Sequence, residues 1–138
     1  MKNVQEEKCV LILENMVFDK ISFVRKDFES DSDPVFSFEI SAGKKNNADI
    51  YKVTIDMSVK KEGEYEIEIG LSGFFSINTT ALEANTDISE LISKNTVAIL
   101  MPYMRSELTL LTAQPGMESI VMPPININAM MEQAQKAK

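Results

Sequence analysis

Apolar and polar residues alternate strictly over 35–42, VFSFEISA, which puts Phe36, Phe38, Ile40 and Ala42 on one face and Ser37, Glu39 and Ser41 on the other. A period of two marks a strand with one covered and one wet face. Residues 51–60 repeat it, with Tyr51, Val53, Ile55, Met57 and Val59 opposite Lys52, Thr54, Asp56, Ser58 and Lys60. Residues 64–69, EYEIEI, continue it, with Tyr65, Ile67 and Ile69 facing in and Glu64, Glu66 and Glu68 facing out. KEGE at 61–64 places a glycine between the last two runs and predicts a tight hairpin. A further strand is expected within 10–24, where Val17, Ile21 and Phe23 alternate with Phe18, Lys20 and Ser22. Apolar side chains on both sides predict that this strand is covered on both faces. Gly70 and Gly73 predict a bulge or bend before the strand at 64–69 ends. The polar stretches 25–34 and 43–49 read as loops.

From Asp87 the period becomes helical. DISE is a capping-box pattern, with Asp87 as N-cap and Glu90 three positions on. Val97, Leu100, Met101, Met104, Leu108 and Leu111 then form one stripe at three- and four-residue spacing, and Ile99, Tyr103 and Leu110 form a second. One sheet face uses one stripe, so the other calls for a second cover, most simply another copy of the protein. Pro102 cannot donate to residue 98, so the segment either kinks at Met101 or starts a new helix with Pro102 in its first turn. Pro115-Gly116 is turn chemistry, Ile120–Met122 an extended apolar piece, and Asn126 or Asn128 a cap for a short final helix over 127–136.

Composition narrows the chemistry. The 138 residues make one domain, 1–138, with ordinary hydrophobic (44%) and charged (25%) fractions. No apolar run approaches the ~20 residues a membrane span requires, and five apolar residues after the charged start are too few for a secretory signal, so a cytoplasmic protein is expected. Cys9 is the only cysteine and there is no histidine. That removes intrachain disulfides, His-based nucleophile pairs and His-ligated metals. No Gly-rich phosphate loop is present, and a net charge of −7 argues against nucleic acid. The expectation is a non-enzyme without cofactor or metal.

Three segments in order resemble one family. ILMPYMR (99–105) is similar to the Leu-Phe-Pro-Tyr-Ala-Arg segment of the SecB export chaperones. PPININAMM (123–131) resembles their Pro-Val-Asn-Phe-Asp-Ala-Leu-Phe segment, matching at Pro124, Asn126 and Ala129, while KISF (20–23) and GFFSI (73–77) resemble two of their strands. The resemblance implies an α+β fold: a four-stranded antiparallel Greek-key sheet, a long interface helix and a short C-terminal helix. It also implies a homotetramer built as a dimer of dimers, with Leu100, Met104, Leu108 and Leu111 carried over to the oligomer interface. It implies ATP-independent holding of unfolded polypeptide clients in an apolar groove, onto which Phe36, Phe38, Tyr65, Met117, Ile120 and Met122 map. Family members also dock the SecA motor on an acidic outer-sheet patch, here represented by Glu66 and Glu68. Lys20 and Val24 replace expected acidic residues and Ser106 replaces the usual Glu after the Arg, which argues against SecA docking. SecB-like chaperones dedicated to an antitoxin offer the alternative partner.

Two signals keep two readings. Of nine methionines, Met101, Met104, Met117, Met122, Met130 and Met131 crowd the last third, as flexible core filler or as an adaptable lining for varied apolar clients. Glu64, Glu66 and Glu68 are a solvated strand face or a docking surface for a basic partner. Cys9, beside Glu6 and Glu7, reads as an inert small hydrophobe. The functional classes are then a general holdase or a narrower module with one client.

Overall fold

The alternating segments pair into one antiparallel sheet. A computed structural model describes residues 11–28, 30–44, 49–78 and 88–122. In sequence order the elements are β1 (Leu11–Arg25), β2 (Val35–Lys44), β3 (Ile50–Lys61), β4 (Tyr65–Ile77) and α1 (Ile88–Thr112). The spatial order is β1-β4-β3-β2, so β3 and β4 are central and β1 and β2 are edges. Directly opposed residues share a face. Val59, Met57 and Ile55 pair with Ile67, Ile69 and Leu71, and all six are buried. Each such side chain contributes roughly 1.5–3 kcal/mol on burial. Helix α1 covers this face.

The β3–β4 hairpin turns on Gly63, whose φ of 80° is a left-handed value that glycine adopts without strain. The Glu64 amide donates to the Lys61 carbonyl at 2.9 Å. Glu64 does not join the solvated strand face expected of it; it is 6% exposed. Its carboxylate pairs with Lys61 at 2.9 Å and accepts from the Ser30 amide at 3.1 Å. Its carbonyl accepts from the amides of Lys26 at 2.7 Å and Asp27 at 3.1 Å. The loop after β1 folds onto this residue, and strand alternation carries no trace of that contact.

β1 departs from its expected pattern. Register shifts between Leu13 and Asn15 and between Phe18 and Lys20 leave Glu14 and Asp19 without partners in the β4 ladder. These are bulges, each adding one residue to one strand. The second reverses the parity read from sequence: Phe18 pairs with Leu71 and Ile21 with Ile69, so both face the helix, whereas Val17 pairs with Ser72 on the outer face. β1 is an edge strand within the protomer, with Val17 41% and Ile21 47% exposed, and not a strand covered on both sides. The glycines expected to bend the next strand do not: β4 runs through Gly70 and Gly73 to Ile77, and the irregularities lie in β1, opposite Phe74–Phe75 and Gly70–Leu71. Both bulge carboxylates turn to outer-face hydroxyls of β4. The Ser76 hydroxyl donates to Glu14 at 2.6 Å, and Ser72 donates to Asp19.

α1 is one helix of 25 residues that passes through Pro102. Ala98, whose carbonyl loses its donor, and Pro102 are both exposed, so the missing hydrogen bond faces water. Ile92, Thr96, Val97, Leu100, Met101, Met104 and Leu108 are buried at helical spacing. The buried threonines return their hydroxyls to the helix, Thr112 to the Leu108 carbonyl at 2.8 Å and Thr96 to that of Ile92. The expected cap at Asp87, Cys9, and the final helix over 127–136 with Asn126, Asn128, Met130 and Met131 lie outside the described residues.

Candidate functional site

α1 packs on β4, β1 and β3 and reaches β2 less. Phe36, Phe38 and Ile40, on the helix side of β2, are consequently only half-buried. After α1, Pro115 and Gly116 (φ 87°) reverse the chain. The returning segment is strapped to the helix: the Ile120 amide donates to the Thr112 hydroxyl at 2.8 Å, the Thr109 hydroxyl donates to the Ile120 carbonyl at 2.9 Å, and Arg105 Nε donates to the Met122 carbonyl at 3.3 Å. Residues 105, 109 and 112 lie at helical spacing on one side of α1. That polar row was visible in the sequence, but its partners on the returning segment were not.

The six residues carried over to a groove all lie on the helix side of the sheet. Tyr65 and Met122 are buried in the core, while Phe36, Phe38, Met117 and Ile120 are half-buried against it. The two buried residues are enclosed in the core, and the four others keep accessible surface. The four residues carried over to the oligomer interface fall elsewhere than expected. Leu100, Met104 and Leu108 are fully buried inside the protomer and Leu111 is half-buried against the same core. The stripe richer in leucine and methionine took the sheet. The outward stripe comprises Ile99, Pro102, Tyr103, Ser106 and Leu110, with Tyr103 45% and Leu110 69% exposed.

On the outer sheet face, Glu66 lies 3.6 Å from Lys26, and Glu68 is paired with Lys20. The Lys20 hydrogen bond and charge hold the Glu68 carboxyl below the usual carboxylate range. Beside them a depression of about 270 Å³ is lined in part by Lys20, Glu39, Asp56 and Glu68. Partial burial, then the like charges of Glu39, Asp19 and Glu68, push the Asp56 carboxyl upward against the opposing pull of Lys20. The acidic face is thus neutralised locally by a lysine at its centre.

An aromatic corner at the hairpin end was not anticipated. Phe23 stacks on Tyr65 with centroids 5.7 Å apart, and the Arg25 guanidinium lies against the rings of Phe23 and Phe28. Aromatic and basic residues at 23, 25 and 28 were legible, but their convergence depends on the β1–β4 register.

Residues 8–138 match the model of the family described as SecB, preprotein translocase subunit SecB. The protein belongs to the SecB family. Family membership supports a chaperone role. MJ0357, an uncharacterised protein of Methanocaldococcus jannaschii, is 26% identical over 140 residues, covering 95% of this sequence and 88% of its own. The fold resembles that of the Mycobacterium tuberculosis SecB-like chaperone Rv1957, solved in complex with a ChAD peptide from the Rv1956 HigA1 antitoxin. The TM-score is 0.68 at 10% identity, covering 84% of this protein and 88% of that one. No helix among the described residues is long and apolar enough to cross a membrane.

Proposed function

We propose that the protein is an ATP-independent holdase that keeps non-native polypeptides in an apolar groove formed by Phe36, Phe38, Tyr65, Met117, Ile120 and Met122. The observation that carries the reading is the incomplete cover over β2. Phe36 and Phe38 face the core side of the sheet yet retain accessible surface, and Met117 and Ile120 of the returning segment are likewise half-buried against the same core. Apolar walls reward buried area without demanding a hydrogen-bond pattern, and methionine adapts to varied partners. Each anchored client residue contributes on the order of 1–3 kcal/mol, offset in part by ordering the client. The groove needs neither cofactor nor catalytic group. The reading includes a cytoplasmic homotetramer of two dimers, with the outward stripe of α1 as the surface between them. It also includes Greek-key connectivity, which the β1-β4-β3-β2 order supports, and a short C-terminal helix.

The test is suppression of aggregation of a slowly refolding protein, comparing wild type with Phe38→Asp/Met117→Asp and checking oligomer mass in parallel. Protection by wild type and its loss in the double variant are expected. Equal protection by both would remove the groove assignment.

A second reading, a chaperone dedicated to one client such as an antitoxin and uncoupled from SecA, is favoured by the Lys20–Glu68 pair. That lysine occupies the acidic surface on which a cationic motor segment would dock. Protection confined to one client, with no effect on unrelated proteins, would select it.

A further inference from the structure

Arg25 carries a buried polar atom that the fold does not use. Among the described residues the buried side-chain atoms without hydrogen-bond partners are Nη2 of Arg25 and Oγ of Ser30, both where the backbone leaves β1. Arg25 stands opposite Tyr65 in the β1–β4 ladder, hence on the helix side of the sheet and next to a residue of the proposed groove. Its guanidinium carbon is 5.5 Å from the centroid of Phe23 and 5.8 Å from that of Phe28. Nη1 donates to the Asp27 carbonyl at 3.1 Å, which fixes the plane further.

Among the described residues, the carboxylates of Glu64 and Asp27 are engaged elsewhere. Glu64 is held by Lys61 and the Ser30 amide, and Asp27 accepts from the Phe28 amide at 2.8 Å. A buried N–H without an acceptor is unfavourable, and the loss is recovered when an acceptor arrives. A guanidinium held flat by flanking rings presents the fork that matches a carboxylate, and charge-assisted bonds of this type are among the strongest a protein makes. Phe28, whose ring flanks the guanidinium, is 74% exposed, so this side of the corner faces solvent.

We propose that Arg25 is the polar anchor at one end of the groove, binding a carboxylate that adjoins the apolar segment of the client. The proposal rests on the groove reading and adds a selectivity that the apolar walls lack. A site holding a buried donor penalises a segment that brings no acceptor more sharply than a wall of methionines penalises a change of shape. The occupant is therefore an extended segment with an acidic group beside its apolar residues. The carboxylate comes either from an Asp or Glu side group or from the free C-terminus of the client.

Fluorescence anisotropy with three synthetic peptides of one apolar sequence tests this on the full-length protein. The first carries a flanking Glu and an amidated end, the second Gln in its place, and the third Gln with a free C-terminal carboxylate. Wild type should bind the Glu peptide about tenfold more tightly than the amidated Gln peptide. Arg25→Gln should abolish the preference and Arg25→Lys should retain part of it. A gain for the free-carboxylate peptide alone would support the anchor and identify the terminal group as its ligand. Equal binding of all three to wild type, or a preference that survives in Arg25→Gln, would overturn the anchor and leave the groove intact. Absence of binding by every peptide would overturn both. The wild-type comparison decides the matter even if a variant fails to fold.

Discussion

Leu100 of α1 rests directly on Gly73 of β4: a Cβ placed at that glycine would lie 2.7 Å from the leucine Cδ2 and 2.8 Å from Cε2 of Phe75. Leu100 and Phe75 are both fully buried, so neither has room to withdraw. Gly73→Ala should therefore destabilise the protein by about 1–3 kcal/mol, the usual cost of overpacking a core. Urea denaturation measures this. Gly43→Ala, where no atom lies within 4 Å, is the control and should change stability little.

With the proposed tetramer, the two stripes of α1 separate folding from assembly. Leu110→Glu and Tyr103→Glu put charge on an exposed surface and should leave the protomer folded while weakening association at least about tenfold, read by light scattering. Leu108→Glu buries an unpaired charge in the core and should unfold the protomer itself, read by circular dichroism. Assembly lost in Leu108→Glu with full secondary structure would contradict the placement of that stripe.

Asp56 gives a pH signature. Its carboxyl is raised above the ordinary 3.8, chiefly by burial. Between that value and the higher folded one the native protein binds more protons than the unfolded one, so stability falls as pH rises through this window. Asp56→Asn should raise the unfolding free energy at pH 7, by less than about 1 kcal/mol for a partly exposed group. The gain should vanish on acidification below the ordinary value. An equal gain at both pH values would exclude titration as its source.

Lys20 bears on export. Wild type should show no measurable binding to a cationic SecA C-terminal peptide in calorimetry at micromolar concentration. Lys20→Glu removes the pairing with Glu68 and restores an acidic surface, and should introduce weak, salt-sensitive binding. Tight binding by wild type would return the protein to the export pathway.

The strands were legible because alternation at Phe36–Ala42, Tyr51–Val59 and Tyr65–Ile69 reports which face is buried, and burial selects these residues directly. The helix was legible for the same reason, down to its two stripes. Which stripe meets the sheet was not, since both are apolar and the choice depends on how α1 is seated over Gly73. In β1 the pattern misled: Val17 and Ile21 share a parity in the sequence but lie on opposite faces, because Asp19 drops out of the ladder between them. A bulge leaves no clear mark in hydropathy where apolar residues stand at both parities, as Val17 and Phe18 do just before Asp19. The groove residues came from family resemblance, while the strap from Arg105, Thr109 and Thr112 and the corner at Arg25 required pairings between distant segments.

The bulges in β1 also say where the length of this strand can change. Glu14 and Asp19 have no ladder partner in β4, and their neighbours resume regular alternation if either is removed. Phe18 and Lys20, joined directly, would keep the faces they now occupy, one toward α1 and one toward water. Loss of Met16 or Phe23 would instead reassign every residue on one side of the gap. A one-residue deletion should be tolerated at positions 14 and 19 and nowhere between Met16 and Phe18, so natural length variation in this strand should fall on those two acidic residues.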